Sequence, residues 1–311
     1  MPNSTVTATT ASTAPAPPAD RESIADATNP LGLAGIEFIE FATDKPQAFG
    51  QVLEMMGFRP VARHRSREVL LYRQGEMNII INAHSGGLPR TVRPGPSQDQ
   101  GRPVIAALAL RVRDAASAYG YALDRGAWAV PVKVEVMELN IPAIHGVGAS
   151  RIYFVDRTKD FSIYDVDFTP IPTVDMKPPA LTGLHWFGVV QYIGNDRMED
   201  WAEFYGELFG FKPLPDDERH GILPKGRILA SPCGTFFLQL IEPEPGILDV
   251  EGDESLQRVG LGTPDVLASV KALRERGVGF VESQGVHSES RGALTQSYLG
   301  GAMFELVHHA R

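Results

Sequence analysis

Two residues in the last quarter of the chain carry the chemistry that most limits what it can do. Arg258 lies in Ser255-Leu256-Gln257-Arg258-Val259-Gly260-Leu261, and Glu305 in Gly301-Ala302-Met303-Phe304-Glu305-Leu306-Val307. Both segments read as apolar strands. A guanidinium in such a strand must meet an anion or reach water, because burying it unpaired is very costly. Glu305 is the nearest anionic candidate by pattern. The two could face each other, a substrate or a metal, and residue type alone leaves these open.

The other reactive side chains point less sharply. Cys233 is the only cysteine, so no internal disulfide can form and a reducing, cytoplasmic compartment fits. It sits in the turn Ser231-Pro232-Cys233-Gly234 with no histidine close in sequence, which favours a packed thiol over a nucleophile. His64 and His145 read as structural or solvated. His220 and His287 fall in loops near an expected cavity mouth, where they are either replacement ligands or merely exposed. His308 and His309 end the last strand, past the pocket. Trp201, Phe204, Tyr205 and Phe209 have helical spacing and read as core. No glycine pattern of the phosphate-binding kind occurs.

The elements that must position these residues follow from composition and periodicity. A chain of 311 residues suits about two domains. With 43% hydrophobic and 22% charged residues it has a globular composition. No apolar run approaches the ~18 residues of a membrane-spanning helix. The net charge of 29 − 38 = −9 argues against nucleic acid or anionic lipid as a main partner. Residues 1–28 are Ser, Thr, Ala and Pro in low-complexity order and are expected to be a disordered tail.

Residues 29–172 read as a first domain, 173–180 as a proline-marked linker and 181–311 as a second domain. The alternation in Gly35–Phe41 predicts a strand, and Lys45–Met56 predicts a helix stopped by Gly57. Strands are expected near Val61–His64, Val69–Tyr72 and Met77–Asn82, with a loop over Gly86–Arg102. A second unit has a strand at Ile105–Val112, a helix at Asp114–Arg125, and strands near Val130–Val134, Arg151–Asp156 and Ser162–Phe168. The second half repeats the first. Phe211 answers Phe58 (211 − 58 = 153) and Arg276 answers Arg125 (276 − 125 = 151), on matching strand–helix order. The fold expected is α+β, four βαβββ modules in two half-barrel domains, each pair curling its strands around a hollow that suits a ligand.

A four-fold βαβββ plan resembles the vicinal oxygen chelate fold (glyoxalase/bleomycin resistance type). The local text is similar to the 4-hydroxyphenylpyruvate dioxygenase family in Gly35–Phe41, in Leu71–Asn78, in Met137–Gly148 and in Ser162–Phe168. The resemblance covers about residues 31–309. It implies an oxidoreductase of aromatic amino acid catabolism acting on an aromatic 2-oxo acid. It also implies Fe(II) held in the second half by two histidines and a glutamate, with open positions for substrate and O₂. A small aromatic acid is the implied ligand, and a homo-oligomer is compatible with it.

Carried over residue by residue, Glu305 matches the family's glutamate ligand. Gln257 and Gln296 match two substrate-side glutamines, and Gln239 joins them as a substrate contact. Where the family has a ligand histidine after the first glutamine, this chain has Arg258, a permanent cation that cannot coordinate iron. The other ligand position takes His185 if about three extra residues precede Trp201, or Gly188 in the gap-free match. Substrate-side serine and asparagine positions fall at about Gly226 and Ile241. The chain ends at Arg311, without the family's covering C-terminal helix, and a more open pocket is expected. Two functions from different classes follow. One is an iron-dependent dioxygenase using Glu305, His185 and a further group. The other is a metal-free relative in which Arg258 pairs with Glu305 or holds a substrate carboxylate, doing non-oxidative chemistry or only binding an aromatic acid.

Overall fold

The computed structural model describes residues 28–83, 102–131, 140–156, 162–215, 218, 220–222, 226–242 and 254–310. The expected tail, the Gly86–Arg102 loop and the strand near Val130–Val134 lie wholly or largely outside these. In the first half, β1 (Gly35–Ala42), α1 (Pro46–Met55), β2 (Arg59–His64), β3 (Val69–Gln74) and β4 (Met77–Asn82) form one module. β5 (Val104–Arg111), α2 (Ala115–Asp124), β6 (Ala143–His145) and β7 (Arg151–Val155) form the next, followed by α3 (Ile163–Asp167) and β8 (Phe168–Pro170). The second half repeats the plan with β9 (His185–Tyr192), α4 (Met198–Phe209), β10 (Lys212–Pro213), β11 (Arg227–Ala230) and β12 (Phe237–Ile241). It closes with β13 (Ser255–Thr263), α5 (Val266–Glu275), β14 (Gly292–Leu294) and β15 (Phe304–His308).

Two mixed sheets result, ordered β6-β7-β5-β1-β4-β3-β2-β8 and β10-β11-β12-β9-β13-β15-β14. This is the α+β architecture expected of a vicinal oxygen chelate protein. In each half the first strands of the two modules pair antiparallel at the centre, β1 with β5 and β9 with β13. In the second and fourth modules, one strand of the expected three shrinks to an isolated bridge, Ala129–Ile144 and Phe280–Thr295.

The local chemistry explains the helices. Asp114 and Asp265 each cap a helix by accepting from the backbone N–H three residues on, at 2.6 and 2.9 Å. Ser162–Phe168, expected to be a strand, is instead the short helix α3. Ser162 accepts from the Tyr164 amide while Asp165 accepts from the Ser162 amide, and this capping box outweighs the alternating pattern.

The core is shared by the halves. Phe41 meets Phe304, Phe58 meets Trp186 and Phe154 stacks on Phe209, with ring centroids 6.3–6.4 Å apart. Arg276 reaches back to donate to the carbonyls of Met55 and Glu54 at the end of α1, satisfying orphan acceptors there. Gly148, at φ +54°, lies so close to the Glu254 carbonyl that any Cβ would collide with it. Phe209 is fully buried against Phe154, Phe204, Tyr205 and Phe211. Phe209→Ala is expected to cost about 3–5 kcal/mol of stability, read as a lower urea midpoint for the whole chain because the two halves share this cluster.

Candidate functional site

The site is set by the register of three strands. β13 runs antiparallel to β9 and parallel to β15, which puts Gly188, Gly260 and Glu305 in one row and Arg258 opposite Val190. Glu305 and Val190 line a small hollow on this sheet, and Arg258 meets Glu305 and Tyr192 beside it. β12 adds Phe237 and Gln239 to the same hollow, and His220 enters from the loop before β11.

Arg258 and Glu305 are both buried, with side chains 7% and 5% exposed, and Arg258 Nε stands 3.7 Å from Glu305 Oε2. That is an ion pair but too long for a hydrogen bond. Arg258 Nη1 donates to the Tyr192 hydroxyl at 3.2 Å, and the guanidinium lies 5.8 Å from the Tyr192 ring centroid. Its Nε and Nη2 are buried without a hydrogen-bond partner among the described residues. Leaving such donors unmade costs about 1–3 kcal/mol each. Glu305 accepts from the Ile222 backbone amide. Burial pushes its carboxyl up to about 7, against the opposing pull of Arg258 and of that amide.

The hollow is small. Its volume is ≈ 20 Å³, room for about one water. Phe187 and Phe237 stack at 4.8 Å, and His220 stacks on Phe237 at 5.3 Å to form a roof. Gly221 packs on Glu305 so tightly that a Cβ there would fall 2.3 Å from Oε1.

The donor set does not fit Fe(II). Gly188 occupies the gap-free histidine position, and a Cβ built on it would lie 1.9 Å from the Phe237 carbonyl oxygen. Arg258 holds a positive charge beside the one carboxylate, where a divalent cation would be repelled. No group of three His, Cys, Asp or Glu able to hold an ion occurs among the described residues. His185 pairs with Gly262, which lies beside Val307, two residues along β13 from the Glu305 row and so about 7 Å away. Its Nε2 meets His309 Nδ1 at 3.0 Å and its Nδ1 meets the Gly183 carbonyl at 3.0 Å.

The structure thus brings Arg258 to Glu305, sets Gln239 in the hollow that Glu305 also lines, and places His185, Gln257 and Gln296 elsewhere. Gln257 sits at a bulge and donates to Ser255 Oγ at 2.8 Å. Gln296 is exposed and lies against Gly279, and His287 is exposed as well. Tyr192, Phe187 and the Ile222 amide belong to the site without having been singled out. For Tyr192 the signal was available, since it follows Gly188 and Val190 at period two. A backbone amide brought over from a distant loop leaves no sequence signal.

The sequence pattern described as hydroxyphenylpyruvate dioxygenase, N-terminal, matches residues 27–169. That of the glyoxalase/bleomycin resistance protein/dioxygenase superfamily matches residues 183–295. The chain is 34% identical over 271 residues to a Vibrio vulnificus protein named hemolysin VllY, covering 82% of this chain and 74% of that one. It is 32% identical over 276 residues to a 4-hydroxyphenylpyruvate dioxygenase of Pseudomonas aeruginosa, covering 84% of this chain and 75% of that one. A solved xylose isomerase-like TIM barrel/4-hydroxyphenylpyruvate dioxygenase fusion protein superposes with a TM-score of 0.67 at 24% identity. The match spans 90% of this chain and 50% of that one, and is a likeness of fold.

Because Arg258 holds the Glu305 carboxyl down against burial, Arg258→Met is expected to move its titration midpoint above about 7. The protonated-carboxyl band in infrared difference spectra across pH reads this directly. An unmoved midpoint would mean the two charges are not coupled.

Proposed function

The chain belongs to the hydroxyphenylpyruvate dioxygenase family of the glyoxalase/bleomycin resistance/dioxygenase superfamily. From that premise we propose that it binds a small aromatic acid without a metal, with Arg258 receiving the acid's carboxylate. The observation that supports this reading is the buried guanidinium whose Nε and Nη2 find no hydrogen-bond acceptor among the described residues while Glu305 stands 3.7 Å away. A carboxylate accepting from those two donors makes the bidentate pair that arginine geometry favours.

Two anions beside one guanidinium cannot both remain charged at low cost. With a carboxyl already pushed up to about 7, Glu305 is the one that takes a proton when the acid enters. Neutral Glu305 can then donate to the bound acid, or move a proton to or from it in non-oxidative chemistry. Entry requires the His220–Ile222 segment to lift from Glu305, since ≈ 20 Å³ holds no aromatic ring. A second reading, iron-dependent oxidation of an aromatic 2-oxo acid, draws on the 32% identity to the Pseudomonas aeruginosa dioxygenase.

Titration with 4-hydroxyphenylpyruvate, followed by calorimetry and with an oxygen electrode, separates the two readings. Binding without oxygen uptake is expected, lost in Arg258→Met. Because binding takes up a proton at Glu305, affinity should be higher near about pH 6 than near about pH 8. Oxygen uptake stoichiometric with the acid, or binding indifferent to Arg258→Met, contradicts the metal-free reading.

A further inference from the structure

A second and much larger cavity, ≈ 710 Å³, lies between the halves. Ile36, Met77 and Arg111 wall it from the first half, and Leu184, Trp186 and His309 from the second. Small-molecule sites run to roughly 300–1,000 Å³ and are mostly apolar with a few placed polar groups, which is the size and lining found here. Neither Arg258 nor Glu305 lines the cavity, so it is separate from the small hollow.

The polar group that stands ready is Arg111, at the end of β5. Its Nε donates to Glu37 Oε2 at 2.7 Å, and Glu37 also accepts from the Tyr164 hydroxyl at 3.1 Å. Glu37 is buried, so one edge of the guanidinium is fixed on a carboxylate that does not move. Arg111 Nη1 and Nη2 donate to no described residue, and the side chain is 24% exposed. A guanidinium carries five donors in a rigid fork, and only the one on Nε is used.

The histidines across the cavity are committed elsewhere. His185 Nε2 and His309 Nδ1 meet each other at 3.0 Å, and His185 Nδ1 meets the Gly183 carbonyl at 3.0 Å. Among the described residues that line the cavity, Glu76 is the one carboxylate, exposed at the turn between β3 and β4. Its charge disfavours a polyanion. A single carboxylate on Arg111 would instead bring an apolar body against Ile36, Met77 and Leu184.

We infer that the interdomain cavity binds a small monocarboxylic acid with an apolar or aromatic body, its carboxylate received by Nη1 and Nη2 of Arg111. Two parallel N–H···O bonds to one carboxylate are the geometry a guanidinium edge favours. Glu37 and Tyr164 set the donor in place beforehand, so little ordering remains when the acid arrives. The site is independent of the acid proposed at Arg258.

Crystals soaked in 4-iodobenzoate, with calorimetric titration of the same acid into the full chain, test the inference. An anomalous iodine peak is expected in the cavity, with the carboxylate on Arg111. Binding in solution should persist in Arg258→Met, which removes the other acid site, and weaken at least about tenfold in Arg111→Gln. 4-Iodobenzyl alcohol, the same body without the charge, should bind at least about tenfold more weakly than the acid. Arg111→Gln strands the buried Glu37, so its melting curve is read first. Where that variant does not fold, the iodine position and the comparison with the alcohol decide. A cavity without iodine, iodine in crystals without binding in solution, or acid and alcohol binding alike would overturn the inference. So would binding lost in Arg258→Met, or binding indifferent to Arg111→Gln.

Discussion

A guanidinium and a carboxylate 3.7 Å apart, both all but sealed from water, form the constraint to which the second half of the molecule is fitted. Neither charge is tolerable alone in this setting, since removing one partner of a buried pair strands the other. The surrounding structure supplies what the pair lacks. The Tyr192 hydroxyl takes one guanidinium donor, the Ile222 amide supports the carboxylate, and stacked rings exclude solvent. The compensation is incomplete on the arginine side, where two donors have no hydrogen-bond acceptor among the described residues. That deficit is what makes the pair look like a receiving site rather than a purely structural bridge.

The same pair does not fit the metal that the family resemblance implies. A guanidinium can satisfy a carboxylate that an ion would otherwise neutralise, so Arg258 at an expected histidine position weakens the electrostatic case for iron. In the gap-free match the other expected ligand position is Gly188. Gly188 faces Gly260 across the sheet and is packed against the β12 backbone, so the strands approach too closely for a ring to be restored there. The two departures reinforce each other, with one introducing a cation and the other removing the space for its replacement.

Much of the frame was legible in the sequence because it rests on local period and local caps. The alternation of Gly35–Ala42 and Ser255–Thr263, the aspartates before α2 and α5, and the repeat spacing near 150 residues are all properties of short stretches. The pairing of Arg258 with Glu305 was legible for a different reason, since a charged side chain within an apolar strand demands a partner. Ser162–Phe168 misled because its alternating pattern competes with a capping box that forms one helical turn. The closure by His220–Ile222 and the histidine pair depend on contacts between distant segments. His185 and His309 are 124 residues apart and meet only through the β9–β13–β15 register. Nothing in either flanking sequence announces that meeting.

The claim that a fixed cation stands in for iron is tested most directly by anaerobic reconstitution with Fe(II), followed by desalting and measurement of retained iron in the parent chain and in Glu305→Gln. Equal iron in the two proteins is expected, because Glu305 is committed to Arg258 and holds no ion. One iron per chain in the parent protein, lost on Glu305→Gln, would contradict it.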